Sequence, residues 1–547
     1  MRHNKYSKIV ILLVGLFLLN FWGSKVFKRF DLTEDNRYTL SEATKKIVAN
    51  VNDIITIKIY LRGDFPAEFK RLQIETKLHL EELKAINNKI HYRFINPKDI
   101  SEELIQNGLE PSRLQVQENG KISELVIFPS AVIEFKNKRE NISLLKDIVT
   151  NSQEEQLQNS IQNLEYVFAN TIHKLTSKKS KKIAILKGNG ELEDIYIADF
   201  LKKLGEYYLL APFTLDSVEI NPEKTLFELL KFDLTIVAKP TEKFSEKEKF
   251  TMDQFLMSGG KSIWLIDNVH AELDSLMQTG EALAYPRDLG LTDFFFNYGA
   301  RINTDLVTDL FNSQIPLATG NIGNRTQFST FSWEYFPLIN SPNNHPINNN
   351  IEAVSSKFVN SIDTLKNDIQ KTILLHSSNV STSIGTPTLI SLKSITAQPN
   401  KHKYNKGNKT IGLLLEGKFK SSYTNRVKPF SISNSKETGL DSKIMILSDG
   451  DIIANEISKG KPIPLGIDKW TNQRFGNKDF LINAVNYLLD DTGLINVRSK
   501  KVDIDFLNKE KAFEESKKWQ FINIVFPLVI LLVFGLLFNF LNKKKYQ

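Results

Sequence analysis

The sequence predicts an α/β protein held between two apolar end segments, and three observations point there. Four short runs, "KKIAILKG", "FDLTIVAKP", "SIWLID" and "KIMILSDGD", carry consecutive apolar residues and are accompanied by helical stretches such as "IYIADFLKKLG". That pattern belongs to a parallel sheet covered by helices on both faces. An earlier stretch of about a hundred residues alternates strand, helix and strand periodicities. Each end of the chain carries a charge-free apolar run flanked by Lys. At 547 residues there is room for about three or four domains.

The first end run, "IVILLVGLFLLNFWGS", lies between Lys8 and Lys25. No small-x-small cleavage site follows it, since Phe21 and Lys25 flank Gly23 and Ser24, so residues 1–30 are expected to form an uncleaved transmembrane anchor. The last, "WQFINIVFPLVILLVFGLLFNFLN", has 24 residues without a charge, with Trp519 and Tyr546 near its ends and Pro527 as a candidate kink. It is long enough to span a bilayer with some tilt. Two spans put both termini on one side. Arg2, Lys5 and Lys8 at one end and Lys543, Lys544 and Lys545 at the other favour the cytoplasm, which leaves the bulk of the chain periplasmic.

The elements between follow in order. Ser41 is placed to cap a helix with Ile47 and Val48 on its inner face. "IITIKIYL" predicts a strand, and "PAEFKRLQIETKLHLEELKAI" an amphipathic helix with Phe69, Leu72, Leu80 and Leu83 on its apolar face. "IHYRFIN" and "ELVIFPSAVIEF" return as strands, giving an α/β domain over 31–150 that is thioredoxin-like in element order. Its redox form requires Cys-x-x-Cys, and the chain has no cysteine. A helical linker is expected over 151–180, then parallel-sheet domains over 181–500, then a juxtamembrane segment and helix over 501–547. Asn, Ser, Thr, Pro and Gly enrichment at 312–350 and 377–441 predicts long loops or polar insertions there.

One stretch, "FLMSGGKSIWLID" from Phe255 to Asp267, contains fragments of nucleotide-binding motifs. A phosphate-binding loop needs a strand, a Gly-rich turn and then a helix whose N–H groups face the phosphates. Here the order is reversed. Ser245 and Glu248 stand at capping-box spacing, Met252, Phe255 and Leu256 share a helical face, and Gly259 and Gly260 suit a C-terminal cap before the strand "SIWLID". Phe255 also fills the place of the motif's first Gly. A helix, a turn and a strand are therefore expected, without a nucleotide site.

The formal charge of +8 is concentrated at the ends: six Lys/Arg lie in residues 1–30 and five in 517–547, with no acid in either segment. The body is slightly acidic, which argues against nucleic-acid binding. His3, His79, His91, His173, His270, His345, His376 and His402 never pair at i, i+4 and have no Cys companions, so no zinc site is expected. No G-x-S-x-G elbow occurs. Glu191 and Asp194 in "ELED" are a formal pair for glycosidase acid and base, although such a cluster is ordinarily a solvated loop.

Ligands of covered parallel sheets bind beyond the C-terminal ends of the strands. That rule selects Gly188, Asn189, Gly190, Glu191, Lys239, Asp267, Asn268 and Asp449 as candidate ligand-binding residues. No catalytic residue, metal ligand or cofactor is assigned.

"RFDLTEDNRYTLSEATKKI", "IYLRGDFPAEFKRLQIET", "ILKGNGELED", "NYGARINTDLV", "GKPIPLGIDKW" and "FGNKDFLINAVNYLLDDTGLINVRSKK", in order from about Arg29 to Lys501, resemble the GldG family. That family is the membrane-anchored, substrate-binding-labelled component of the gliding-motility ABC transporter of Bacteroidetes. The resemblance implies a non-ATPase auxiliary subunit whose partners are an ABC permease, a separate ATP-binding subunit, the membrane and a cell-envelope partner. It also implies a flavodoxin/glutamine-amidotransferase-like parallel-sheet domain, shared with an intraflagellar-transport protein, here without the catalytic Cys that glutaminase activity needs. A periplasmic ligand or glycan receptor and a tethered envelope hydrolase are the alternative functions.

Overall fold

The computed structural model describes residues 12, 14–17, 39–63, 65–118, 121–146, 152–323, 325–396, 398–500 and 509–545. The chain divides into two units, residues 1–501 and 502–547. Of the N-terminal apolar run, residues 12 and 14–17 are helical; the remainder of the expected anchor over 1–30 lies outside the described residues.

The Ser41 Oγ accepts from the Thr44 N–H at 3.2 Å to cap α1, Glu42–Ala49. Strand β1, Ile55–Ile59, leads through α2, Ala67–Ile86, to the parallel strand β2, Ile90–Phe94. Strands β3, Ser130–Phe135, and β4, Lys138–Ser143, add antiparallel, so the order is β2-β1-β3-β4. In "ELVIFPSAVIEF" the break at Pro129 separates Lys121–Ile127, which pairs with Ser112–Glu118 in a hairpin, from β3. Helix α3, Gln153–Thr176, opens with a capping box from Ser152 and Glu155 and packs with α1 and α2. Phe69, Leu72, Leu80 and Leu83 of α2 are buried there, as the 3.6-residue pattern requires.

The central sheet has seven strands: β5, Lys182–Lys187; β6, Leu209–Thr214; β7, Leu234–Ala238; β8, Lys261–Leu265; β9, Gln370–His376; β10, Thr410–Lys420; and β11, Thr438–Leu447. Their order is β9-β10-β11-β8-β7-β5-β6. Strands β6, β5, β7, β8 and β11 are mutually parallel, while β10 runs antiparallel to both its neighbours. Taken in order of appearance, the five parallel strands are arranged 2-1-3-4-5, a doubly wound order whose direction reverses between β5 and β7.

The two-residue period of the strands sorts their side chains onto two cores. Ile183, Ile185, Ile236 and Leu265 face Phe200 and Leu204 of α4, Ala198–Gly205, and Phe480 and Val485 of α7, Asn477–Leu489. Ala184, Leu186, Val237 and Trp264 face Met252, Phe255 and Leu256 of α5, Glu246–Met257, and Phe294 and Tyr298 of α6, Thr292–Tyr298. Each fully buried Phe or Leu contributes about 2 kcal/mol relative to exposure.

The stretch with nucleotide-motif fragments forms α5, a turn and β8. Ser245 and Glu248 make the capping box, and Gly259 adopts a left-handed φ of 93°. A Cβ at Gly260 would collide with the Phe255 ring. The aromatic residue in place of the motif's first Gly thus closes the turn by packing.

The polar stretches contain more regular structure than their composition predicts. Asn312–Ile322 and Arg325–Ile339 pair as a long hairpin, and the second stretch contains β10, a full member of the central sheet. In β10, Ile411, Leu413, Leu414 and Leu415 are fully buried. Flanking Lys, Asn and Ser conceal this run when composition is averaged over a long window.

In the second unit, Lys509–Glu514 is a short helix and α8, Ser516–Lys545, continues through Pro527. Its Ser516–Leu541 segment is long and apolar enough to cross a membrane by length and composition.

Candidate functional site

The C-terminal ends of β7, β8 and β11 bring charged side chains together. Strand β7 runs directly into Lys239, whose left-handed φ of 55° turns the chain sharply at a residue with a Cβ. Its buried ammonium Nζ lies 2.8 Å from Asp451 Oδ2, 3.3 Å from Asp267 Oδ2 and 3.4 Å from Glu272 Oε2. Asp267 Oδ1 accepts the Gly450 N–H at 2.5 Å. Asp449 is fully buried and accepts the N–H groups of Lys357 at 2.8 Å and Asp451 at 2.7 Å. Arg287 Nη2 reaches Glu272 Oε1 and His270 Nδ1, both at 3.2 Å.

Burial and charge divide these groups by protonation. Burial disfavours the Lys239 cation, but Asp451, Asp267 and Glu272 together outweigh it and hold the ammonium well above its usual range. Burial pushes Asp451 up, yet Lys239 and Lys357 more than offset this and keep it ionised below the usual carboxylate range. Asp267 is lifted to about 6, chiefly by burial, against the pull of Lys239. Burial, then Asp451 and Asp267, push Asp449 well above the carboxylate range despite its two backbone donors. Lys239 and Asp451 thus stay charged beside two carboxyl groups, Asp267 and Asp449, that titrate higher.

Lys239, Asp267 and Asp449 are therefore brought together. Asn268 stands beside them but turns into the scaffold: its N–H donates to Asn360 Oδ1 at 2.7 Å and its Nδ2 to the Ile302 carbonyl at 3.0 Å. Gly188, Asn189, Gly190 and Glu191 form a separate loop with no hydrogen bond or ion pair to the Lys239 group among the described residues. At Gly188, φ is 116° and a Cβ would lie 2.5 Å from Asp216 Oδ1. The Asn189 N–H donates to Glu191 Oε2 at 2.8 Å, and its carbonyl accepts from Thr241 and Glu242, both at 2.9 Å. Burial raises the Glu191 carboxyl above its usual range. Asp194 is mostly exposed and pairs with Lys187 at 2.9 Å, so the two "ELED" carboxylates engage different partners.

Asp451, Glu272, Arg287 and Lys357 are absent from the sequence-derived set. Asp451 had a signal, standing two residues beyond Asp449 in "SDGD". Glu272, Arg287 and Lys357 lie in loops whose spacing carries none. Among the described residues, no group of three or more His, Asp or Glu side chains is placed to hold a metal ion.

Above this cluster opens a cleft of about 350 Å3 whose lining includes Tyr196, Glu272, Phe336, Lys357, Asp451 and Trp470. The long hairpin supplies one wall through Gln314 and Pro316, and the loop after β11 supplies another. It occupies the general location at which α/β sheets bind ligands.

A family described as an ABC-type uncharacterized transport system matches residues 180–484, over half of the chain and all of the central sheet. The chain belongs to this ABC-type transport-system family. It is thus an auxiliary component of such a system, associates with transporter components, and has in α8 a helix suited to a membrane. A domain of unknown function (DUF7088) matches residues 34–134. An uncharacterized protein of Borreliella burgdorferi is 23% identical over 567 residues, covering 100% of this chain and 99% of that protein. A solved structure described as mmIFT52 N-terminal domain covers 57% of this chain and 99% of its own at 14% identity. Its TM-score of 0.33 is too low to bear on the fold.

Proposed function

We propose that this member of the ABC-type transport-system family is the non-ATPase auxiliary subunit of a gliding-motility transporter. It is anchored at both ends in the inner membrane, both termini cytoplasmic, and its periplasmic body couples the permease to a cell-envelope partner. The observation that carries the reading is the family match over residues 180–484. The GldG-like motifs and the reversed element order at Phe255–Asp267 support it, the latter because ATP hydrolysis then belongs to a separate subunit. The N-terminal domain is read as thioredoxin-like from its β2-β1-β3-β4 order, and the central one as flavodoxin/glutamine-amidotransferase-like from its 2-1-3-4-5 order.

Purification in mild detergent should retain a multi-span permease and an ATP-binding subunit. Recovery of the chain alone, or ATPase activity of the single polypeptide, would count against the proposal. A reporter fused after Gln547 should be active on the cytoplasmic side only.

A second reading, a receptor for a periplasmic ligand, is favoured by the cleft beside Lys239.

A further inference from the structure

We propose that the cleft beside Lys239 binds a small organic anion, a carboxylate or phosphate carried on an apolar body. This goes beyond the coupling role and holds whether or not the transporter serves gliding.

Most of the acidic groups lining the cleft are already engaged. Glu272 is held by Lys239 and Arg287, and Asp451 by Lys239. Asp468 accepts from the N–H of Trp470 at 2.9 Å and from Thr471 N–H and Oγ1 at 2.7 and 2.8 Å, so its charge serves its own turn. Glu456 Oε2 accepts the Lys469 N–H at 3.1 Å. Asp274 sits in the first turn of the Leu273–Thr279 helix, where a negative charge is favoured by the helix dipole.

The lysines differ. No carboxylate lies within ion-pair distance of Lys357 or Lys469 among the described residues; their ammonium groups stand 5.8 Å from the Phe336 ring centre and 5.7 Å from that of Trp470. Such contacts steady the stem of a lysine while leaving its N–H donors available. Lys357 is also tied by its backbone N–H to the buried Asp449, so one cation is anchored to the floor of the cleft. A cationic ligand would meet two ammonium groups outside any ion pair, while Glu272, Asp451, Asp468 and Glu456 already have partners. An anion finds two ammonium donors that stand outside any ion pair, with Lys357 sharing only the longer-range field of Asp451.

The apolar part of the ligand follows from the walls. Trp470 is 45% exposed although it lines the cleft and leans on Phe328 with ring centres 5.0 Å apart. Phe336 lies beside Lys357. A planar or apolar body can cover these surfaces while its anionic group reaches the lysines, and the volume suits a small molecule.

The test uses the full chain in lipid nanodiscs and 19F NMR titration with 4-fluorobenzoate, 4-fluorophenyl phosphate and the neutral 4-fluorobenzamide. At least one anion should broaden saturably, with the amide about tenfold weaker or worse. Lys357→Met and Lys469→Met should each weaken anion binding by about five- to tenfold, and Trp470→Leu should weaken it as well, whereas Lys202→Met on α4 should not. Circular dichroism and melting temperature identify any variant that has lost its fold, and the remaining lysine variant then carries the test. Preference between the two anions identifies the anionic group, and either preference supports the site. Absence of saturable binding by both anions, equal binding of the amide, or unchanged binding in the folded lysine variants overturns it.

Discussion

Lys500 Nζ donates to the carbonyl oxygen of Thr39 at 2.8 Å, joining two positions 461 residues apart at the opposite ends of the described body. The same ammonium is 3.3 Å from Glu165 Oε2, while Glu165 Oε1 accepts the Ser41 N–H at 2.7 Å. One buried carboxylate on α3 therefore ties the start of the body to its end. Burial pushes Glu165 up, but Lys500 and the Ser41 hydrogen bonds outweigh this and hold its carboxyl below the usual range. Glu165→Gln keeps the shape and removes the charge. It should lower stability by about 1 to 3 kcal/mol, read from denaturant melts, and should increase proteolysis near Thr39 and Lys500. Unchanged stability and cleavage would refute the tie.

His79 stacks on Phe168 with ring centres 5.7 Å apart, and its Nε2 is buried without a hydrogen-bond partner. Burial, opposed by Glu165, lowers it to about 4 from 6.5. Between those values the unfolded chain binds a proton that the folded chain refuses, so stability falls as pH decreases. The loss should be about 1 kcal/mol between pH 7 and pH 5.5. Glu165 adds to it at lower pH, since a depressed carboxyl stabilises above 4.5 and loses its contribution on protonation. Thermal melts across this range should show a smaller slope for His79→Phe than for the wild type.

Lys239→Met would leave Asp451, Asp267 and Glu272 facing one another without their shared cation. The expected cost is about 3 kcal/mol near pH 7. With the cation gone, the folded-state carboxyls move above their unfolded values, so the variant loses stability as pH rises. The gap to wild type should widen from pH 5 to pH 8 in chemical denaturation, and a constant gap would mean that charge is not the cause.

Gly450 lies against the same lysine. A Cβ there would collide with the Lys239 side chain, and the Gly450 N–H is held by Asp267. Gly450→Ala should therefore displace Lys239 and destabilise the protein by about 2 kcal/mol. The double variant with Lys239→Gly, which removes the clashing Cβ and Cγ, should cost less than the sum of the two single changes, and full additivity would show that the two side chains do not compete for space.

Substituting Glu191 and Asp194 together by Ala tests the hydrolase alternative. With Asp194 paired to Lys187 and Glu191 bound to the Asn189 N–H, the motility that the proposed role implies should be unaffected if the protein folds. Loss of motility with normal abundance and melting temperature would restore that alternative.

The sequence by itself determined the units whose cause is local. Ser245 and Glu248 cap α5, Gly259 turns the chain, and Trp264 enters a buried strand, because caps, left-handed turns and apolar periodicity act within a few residues of one another. The same holds for α2 and for the charge-free run of α8. Only the tertiary structure decided that Lys239 meets Asp451, that β10 enters the sheet antiparallel, and that Lys357 faces a cleft beside Trp470. Those pairings depend on strand order and on where long loops return. Charge compensation between residues as far apart as Lys239 and Asp451 leaves no periodic mark on the intervening sequence.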